Sequence, residues 1–209
     1  QDMIYMVTPE KTPVLSNGKR FKAKQKAHEW ERDSLATPSA TNAVIEGDDR
    51  SGSPIAAPQR LGNYCQLMDK IASVASSQEA SDAIGMSSSM KRSVAKQKVE
   101  LKRDLEARLV SSLPAVAGSS SVARQTAGLG CMIFTNASHG GDGETAAHNA
   151  GFPTTAVTAG TNRAFTQLLL DTSMQGIYTQ SGDMPNIAVM SPSHKTAFSA
   201  FTGIAINRR

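Results

Sequence analysis

An α+β fold is what three stretches of this chain predict. Residues 20–35, RFKAKQKAHEWERDSL, alternate between two faces as a strand does. Residues 86–113, MSSSMKRSVAKQKVELKRDLEARLVSSL, keep helical spacing and contain neither Gly nor Pro. From residue 163 onward, helical patterns alternate with a short apolar run.

In chain order, residues 1–18 carry Pro9, Pro13 and Gly18 and no lasting period. They predict an extended arm with one helical turn at residues 3–6. In residues 20–35, Phe21, Ala23, Gln25 and Ala27 fall on one face, and Lys22, Lys24, Lys26, His28 and Trp30 on the other. Residues 36–59 are rich in Ala, Pro, Ser and Thr around an acidic tip, Glu46-Gly47-Asp48-Asp49. Residues 61–73, LGNYCQLMDKIAS, read as the returning strand, so that residues 19–75 form one long hairpin with an irregular end. An isolated two-stranded hairpin is marginal in water. The scattered large apolar side chains of this region do not offset the entropy of ordering it. The expected support is another chain.

Gly85 and Pro114 punctuate residues 86–113 at both ends. Met90, Val94, Leu101, Leu105 and Leu109, with Gln97 in the gap, make a narrow apolar stripe. Lys96/Glu100, Lys102/Glu106 and Asp104/Arg108 are opposite charges four apart. Each pair is expected to add about 0.2–0.5 kcal/mol. At about 1.5 Å per residue the helix is a rod of about 40 Å, an edge for other elements to lean on.

Residues 115–123 are a small-residue loop, and residues 129–135, LGCMIFT, a short apolar strand. Residues 138–161 are a Gly/Ala/Thr-rich loop whose length marks it as functional or mobile, and tolerant of change. Asn162 is expected to cap a helix over residues 163–178 with Phe165, Leu168, Leu169 and Thr172 inward. Gly182 and Pro185 close it. Residues 187–190 are expected as a buried strand. Ser191-Pro192 is an N-cap followed by Pro at the first helical position. The short helix after it turns Ala197, Phe198 and Phe201 inward and stops at Gly203. This second half reads as an α+β or α/β unit that stops before its sheet is complete. The opening Gln1 and closing Asn207-Arg208-Arg209 are expected to be processed or truncated ends.

Composition narrows the function classes. Hydrophobic residues make 39% but aromatics only 5%, so the core is thin for 209 residues. Lys plus Arg number 22 against 18 acids, and the net +4 is too mild to argue for nucleic acid by itself. Cys65 and Cys131 fit no disulfide framework and no metal spacing, and read as free thiols of a reducing compartment. No apolar run is long enough to span a membrane.

Catalytic motifs are incomplete. His139-Gly-Gly-Asp-Gly resembles an esterase oxyanion loop, but the G-x-S-x-G elbow is absent. Ser88-x-x-Lys91 and Ser93-x-x-Lys96 match S-x-x-K, but the S-D-N and K-T-G partners are missing. His28, His139, His148 and His194 have no zinc-like spacing, and no phosphate loop or dinucleotide fingerprint occurs. No catalytic, cofactor-binding or metal-binding residue is therefore expected. The Lys22/Lys24/Lys26/Trp30 strand suits nucleic acid through phosphate contact and stacking. The same hairpin also carries Glu46, Asp48 and Asp49, and complementary charges on one extended element suit contact between copies better. A plain solvated strand face is the third reading.

Five segments carry a resemblance: residues 28–36 (HEWERDSLA), 42–48 (NAVIEGD), 60–66 (RLGNYCQ), 100–106 (ELKRDLE) and 127–130 (AGLG). In this order they resemble a family of tailed-bacteriophage major capsid proteins, formerly a domain of unknown function. The resemblance runs from about residue 2 to residue 203, and the first and fourth segments are the most specific. It implies the Hong Kong 97-type capsid fold. Residues 1–18 would be an N-terminal arm and residues 19–75 the extended E-loop over a neighbouring subunit. Residues 76–121 would hold the spine helix of the peripheral domain and its flanks. Residues 122–209 would be an axial domain, incomplete because family members continue after Phe201-Thr202-Gly203. It implies a structural, non-enzymatic subunit that assembles into hexamers and pentamers of an icosahedral shell around double-stranded DNA. Scaffold, portal and decoration proteins are the expected partners, and the virion, assembled in the bacterial cytoplasm, the expected location. Lys22, Lys24, Lys26, Trp30, Glu46, Asp48 and Asp49 are the expected inter-subunit contacts.

Overall fold

The computed structural model describes residues 11–49, 52, 54–81 and 88–201. The turn expected at residues 3–6, Gly85, the first two residues of the expected long helix, and Gly203 as a stop lie outside them.

The described chain opens with a short helix, α1 (Pro13–Asn17). An antiparallel hairpin follows, β1 (Ala27–Arg32) with β2 (Gln59–Tyr64), Trp30 standing opposite Leu61 and Arg32 opposite Gln59. Helix α2 (Ser76–Ala80) leads to the long α3 (Ser89–Val110). Then come a single helical turn, α4 (Leu129–Met132), and a minimal pair, β3 (His148–Asn149) with β4 (Phe152–Pro153). Helices α5 (Gln167–Ser181) and α6 (Pro192–Ser199) complete the order. The class is α+β.

Helix α3 is the longest helix among the described residues, about 33 Å for its 22 residues. Ser88 caps it by accepting from the Lys91 N–H at 3.2 Å. Glu79, on α2, accepts from Ser88 Oγ and from the Met90 N–H at 2.9 Å. The Ser88 hydrogen bond, then that of Met90, hold the Glu79 carboxyl below its usual value of 4.5. The helix stops before Leu113 because Ser111 turns back, its N–H and its Oγ both donating to the Arg108 carbonyl.

Of the three ion pairs expected along α3, only Lys96–Glu100 forms among the described residues, at 3.8 Å. The other charges are drawn into tertiary contacts. Both Glu106 oxygens accept from the first turn of α1, from Val14 N and Leu15 N at 2.8 Å each. Asp104 pairs with Lys70, on the outgoing arm of the hairpin, at 2.8 Å, and this bond holds the Lys70 ammonium above its usual value. Arg108 donates to the carbonyls of Thr126 at 2.6 Å and Pro114 at 2.9 Å. On the apolar stripe Gln97, Leu101, Leu105 and Leu109 are half-buried, while Met90 and Val94 stay exposed.

The buried core is as thin as the aromatic-poor composition implies. It consists of Ala115, Ala127, Cys131 and Ala146, with Tyr64, Met132 and Val157 packed against it. Cys131 donates to the Ser112 carbonyl at 3.0 Å, and burial pushes its thiol up. Polar contacts do the rest. Residues 63–66 and 124–127 lie side by side and are joined by side-chain-to-backbone hydrogen bonds. Asn63 accepts from Ala127 N at 2.8 Å and donates to Ala127 O at 3.2 Å. Thr126 Oγ1 donates to Tyr64 O and accepts from Gln66 N at 3.1 Å, while Gln66 accepts from Thr126 N at 3.2 Å. Arg124 donates to Cys65 O at 2.6 Å. At the outer edge of β2, Gly62 N donates to Gly151 O at 3.1 Å. The Phe152 ring lies against bare Gly62, where a Cβ would come within 2.5 Å of it, and stacks on Tyr64 at 4.6 Å.

Several expectations are corrected. Residues 129–135 form no strand: Leu129–Met132 make the turn α4, and Cys131 N and Ile133 N bond back to Gly128 O and Leu129 O. Residues 138–161 are not a slack loop. They contain β3, β4, the bridge Glu144–Thr158 and buried Ala146 and Pro153. Gly140 packs so closely that a Cβ would stand 1.9 Å from the Thr161 carbonyl oxygen. Helix α5 starts four residues late, capped by Thr166 and not Asn162, because Arg163 is held away by Ser138 O and Oγ at 2.6 and 2.8 Å. Its inward residues are Leu169, Leu170, Ser173, Met174 and Ile177, whereas Leu168 and Thr172 face out. Residues 187–190 pair with nothing among the described residues, and Ile187 and Val189 are exposed. Gly182, in the left-handed region at φ 74°, closes α5, and Ser191-Pro192 opens α6, both as expected. Phe201 packs near Phe165 and Phe198, at 5.3 and 6.0 Å between ring centroids.

Three outcomes test this account. Thr126→Val keeps the shape but strands the Tyr64 carbonyl and the Gln66 N–H. It is expected to cost about 1–3 kcal/mol in urea unfolding. Gly140→Ala is expected to lose about 1–3 kcal/mol through overpacking, while Gly141→Ala, with open space around it, leaves the melting temperature unchanged. Because the Glu79 carboxyl is depressed in the fold, its clasp on α3 is whole above its usual 4.5 and is lost as pH falls through the lowered value. Amide exchange at Met90 should accelerate over that acid range in the native chain. In Glu79→Gln it should lose the pH dependence.

Candidate inter-subunit surface

The hairpin stands away from the body. Every described residue from 29 to 60 is exposed, and only the base of the hairpin, Ala27 and His28 of β1 and β2 from Leu61 on, packs inward. Among the exposed residues are Leu35 at 99%, Ile55 at 95% and Ile45 at 80%.

Pairing ends at the base for a physical reason. Continuing the register would set Lys24 against Leu67 and Lys22 against Asp69. One further rung does form, Cys65 N donating to Lys26 O at 2.9 Å. Beyond it Gln66 is bonded to Thr126 and Lys70 to Asp104, so the second strand is drawn off toward the body. Lys22, Lys24 and Lys26 therefore lie in an irregular, exposed lead-in and not on a strand face, which corrects the strand expected over residues 20–35. The returning strand is likewise shorter than residues 61–73.

Trp30 is where the alternation sets it, on one face of the hairpin with His28 and Arg32. The rings of Phe21, His28 and Trp30 form a row, with centroids 5.1 and 5.9 Å apart. Arg32 donates to Gln59 Oε1 at 3.2 Å. The opposite face carries the pair Arg60–Glu29 at 3.7 Å. The acidic tip is a formed turn: Asp48 N donates to Ile45 O at 3.3 Å, and Gly47 takes φ 81°, a conformation that favours glycine. Glu46, Asp48 and Asp49 are exposed. No ion pair among the described residues joins them to Lys22, Lys24 or Lys26.

The rival motifs are taken up structurally. Ser88 of Ser88-x-x-Lys91 is the cap of α3 and is hydrogen-bonded to Glu79. Lys96 of the second match pairs with Glu100. His139-Gly-Gly-Asp-Gly lies in the folded segment, with Gly140 N donating to Ala159 O. Among the described residues no group of three or more His, Cys, Asp and Glu is placed to hold a metal ion, and no helix is long and apolar enough to cross a membrane. Arg32 was not singled out from sequence. Its signal was available, two residues past Trp30 and so on the same face.

Comparison with known proteins places the sequence in a family. The chain is 26% identical over 108 residues to the major capsid protein of Escherichia phage Phieco32. The match takes in 52% of this chain and 31% of that protein, so the chain spans under a third of the length of that relative. The family model of the SU10 major capsid protein matches residues 1–209. With the match running the full length of the sequence, the chain belongs to the SU10 major capsid protein family.

Proposed function

We propose that this chain is the shell-forming part of a major capsid subunit of a tailed double-stranded DNA bacteriophage, structural and not catalytic, with the Hong Kong 97-type fold. Residues 19–75 are the E-loop that lies over a neighbour, α3 is the spine of the peripheral domain, and residues 122–209 belong to the axial domain. Copies assemble as hexamers and pentamers in the bacterial cytoplasm and enclose DNA without reading its sequence. Scaffold, portal and decoration proteins act on that shell.

The observation that carries this reading is the bare hairpin. Every described residue from 29 to 60 is exposed, apolar side chains such as Leu35 and Ile55 among them. Burying them on a second copy recovers the free energy that the lone chain leaves unused. Family membership and the charge sets at the two ends of the hairpin support the same reading.

The rival is a nucleic-acid-binding module built on Lys22, Lys24, Lys26 and Trp30. Charge reversal separates the two. Each exposed pair between copies is worth only about 0–1 kcal/mol, but a closed shell repeats it many times. Reversing all three lysines to glutamate should leave circular dichroism and melting of the subunit unchanged while electron microscopy finds no shells. High salt should weaken native assembly in the same direction. Normal, salt-insensitive shells from the triple variant would overturn the assembly role. Shells that form but package DNA poorly would favour the rival.

A further inference from the structure

We propose, resting on the capsid reading above, that the tip of the hairpin seats in a groove at the hairpin base of a second copy. Val44 and Ile45 enter an apolar floor there, and Arg32 meets the acids of the tip.

The groove is a cavity of about 330 Å³ over the Trp30 face of the hairpin. Leu61, Met132, Ile133 and Phe134 line it, with Arg32 and His148 at its polar margin. Ile133 and Phe134 stay exposed although they belong to the best-packed part of the chain, directly after buried Cys131. Phe134 is held edge-on to His148, with ring centroids 4.9 Å apart, so the wall is formed before anything docks. Among the described residues no carboxylate lines the groove. The Arg32 guanidinium has one hydrogen bond, to Gln59, and makes no ion pair among the described residues. Most of its five N–H donors are therefore open to an incoming carboxylate.

The tip has the complementary make-up. Val44 and Ile45 are exposed, and the turn that closes on Asp48 presents them beside Glu46, Asp48 and Asp49. None of these acids has an ion-pair partner among the described residues. A preformed turn loses little entropy on docking. The chain's own tip leaves its own groove empty, since Val44 and Ile45 remain exposed, so the occupant we assign is a second copy. A tip-into-groove contact joins unlike surfaces. Repeated by rotation it closes a ring, which an isologous contact between like surfaces does not require.

Cysteine pairing tests the contact. Full-length chains carrying Ile45→Cys are co-assembled with chains carrying Phe134→Cys, oxidised, and run on a non-reducing gel. The expected result is a dimer band in the mixture well above that of either variant alone, lost when Arg32→Glu is added to the Phe134→Cys chain. Normal shells with no such band would overturn the groove as the seat while leaving the capsid reading intact. In a chain carrying both cysteines, a reducible shift of the monomer band, with no dimer band in the mixture, would also overturn it, because the tip would then fold back on its own groove. If the native chain forms no assembly at all, the capsid reading falls and the inference with it.

Discussion

Thr126 is the point on which the body depends. Its side chain and backbone together meet the Tyr64 carbonyl, the Gln66 amide and side chain, and the Arg108 guanidinium. Three separate parts of the chain, the hairpin base, the spine helix and residues 124–127, are thereby fixed to one another at a single residue. A chain with a large apolar core needs no such device. Here the buried hydrophobic cluster among the described residues is three alanines and a cysteine, and burial of so little area contributes only a few kcal/mol. Hydrogen bonds of modest net worth, about 0.5–1.5 kcal/mol each, must fix the geometry. They are directional, so they define position more sharply than the small core does.

The spine helix follows the same logic. Its polar residues are fasteners. Glu106 holds α1, Asp104 holds the outgoing hairpin arm through Lys70, Arg108 holds residues 114 and 126, and Ser88 with Glu79 ties α2 to its start. The larger apolar side chains of the molecule are thus left available at the surface, on the hairpin and around the groove beside it.

This division decides what was legible in the sequence. Features governed by neighbours in the chain were readable: the α3 period, the hairpin, the Ser191-Pro192 start and the Gly182 stop. Features governed by residues some sixty positions away were not, because nothing in the spacing of Asn63 or Gln66 points to Ala127 or Thr126. The charges four apart on α3 were real, but tertiary partners won two of the three pairs. Residues 138–161 misled because Gly and Ala serve equally a slack loop and a backbone packed against backbone, as at Gly140 and Thr161. For the candidate surface, residue types and the acidic tip were legible. The lysine strand face was not, since its end is set by where the partner strand is pulled.

The exposed hairpin has a consequence for timing. On the assembly proposed above, a stretch with so few partners in its own chain gains most of its contacts when a neighbour arrives, so the free energy of burying its apolar side chains is released on association and not on folding. The first encounters between copies cover few hairpins and are weak, while later arrivals find several surfaces at once. Association of this kind lags below a threshold concentration and then proceeds steeply, and a half-built ring sheds subunits faster than a closed one. Errors can therefore leave before they are locked in.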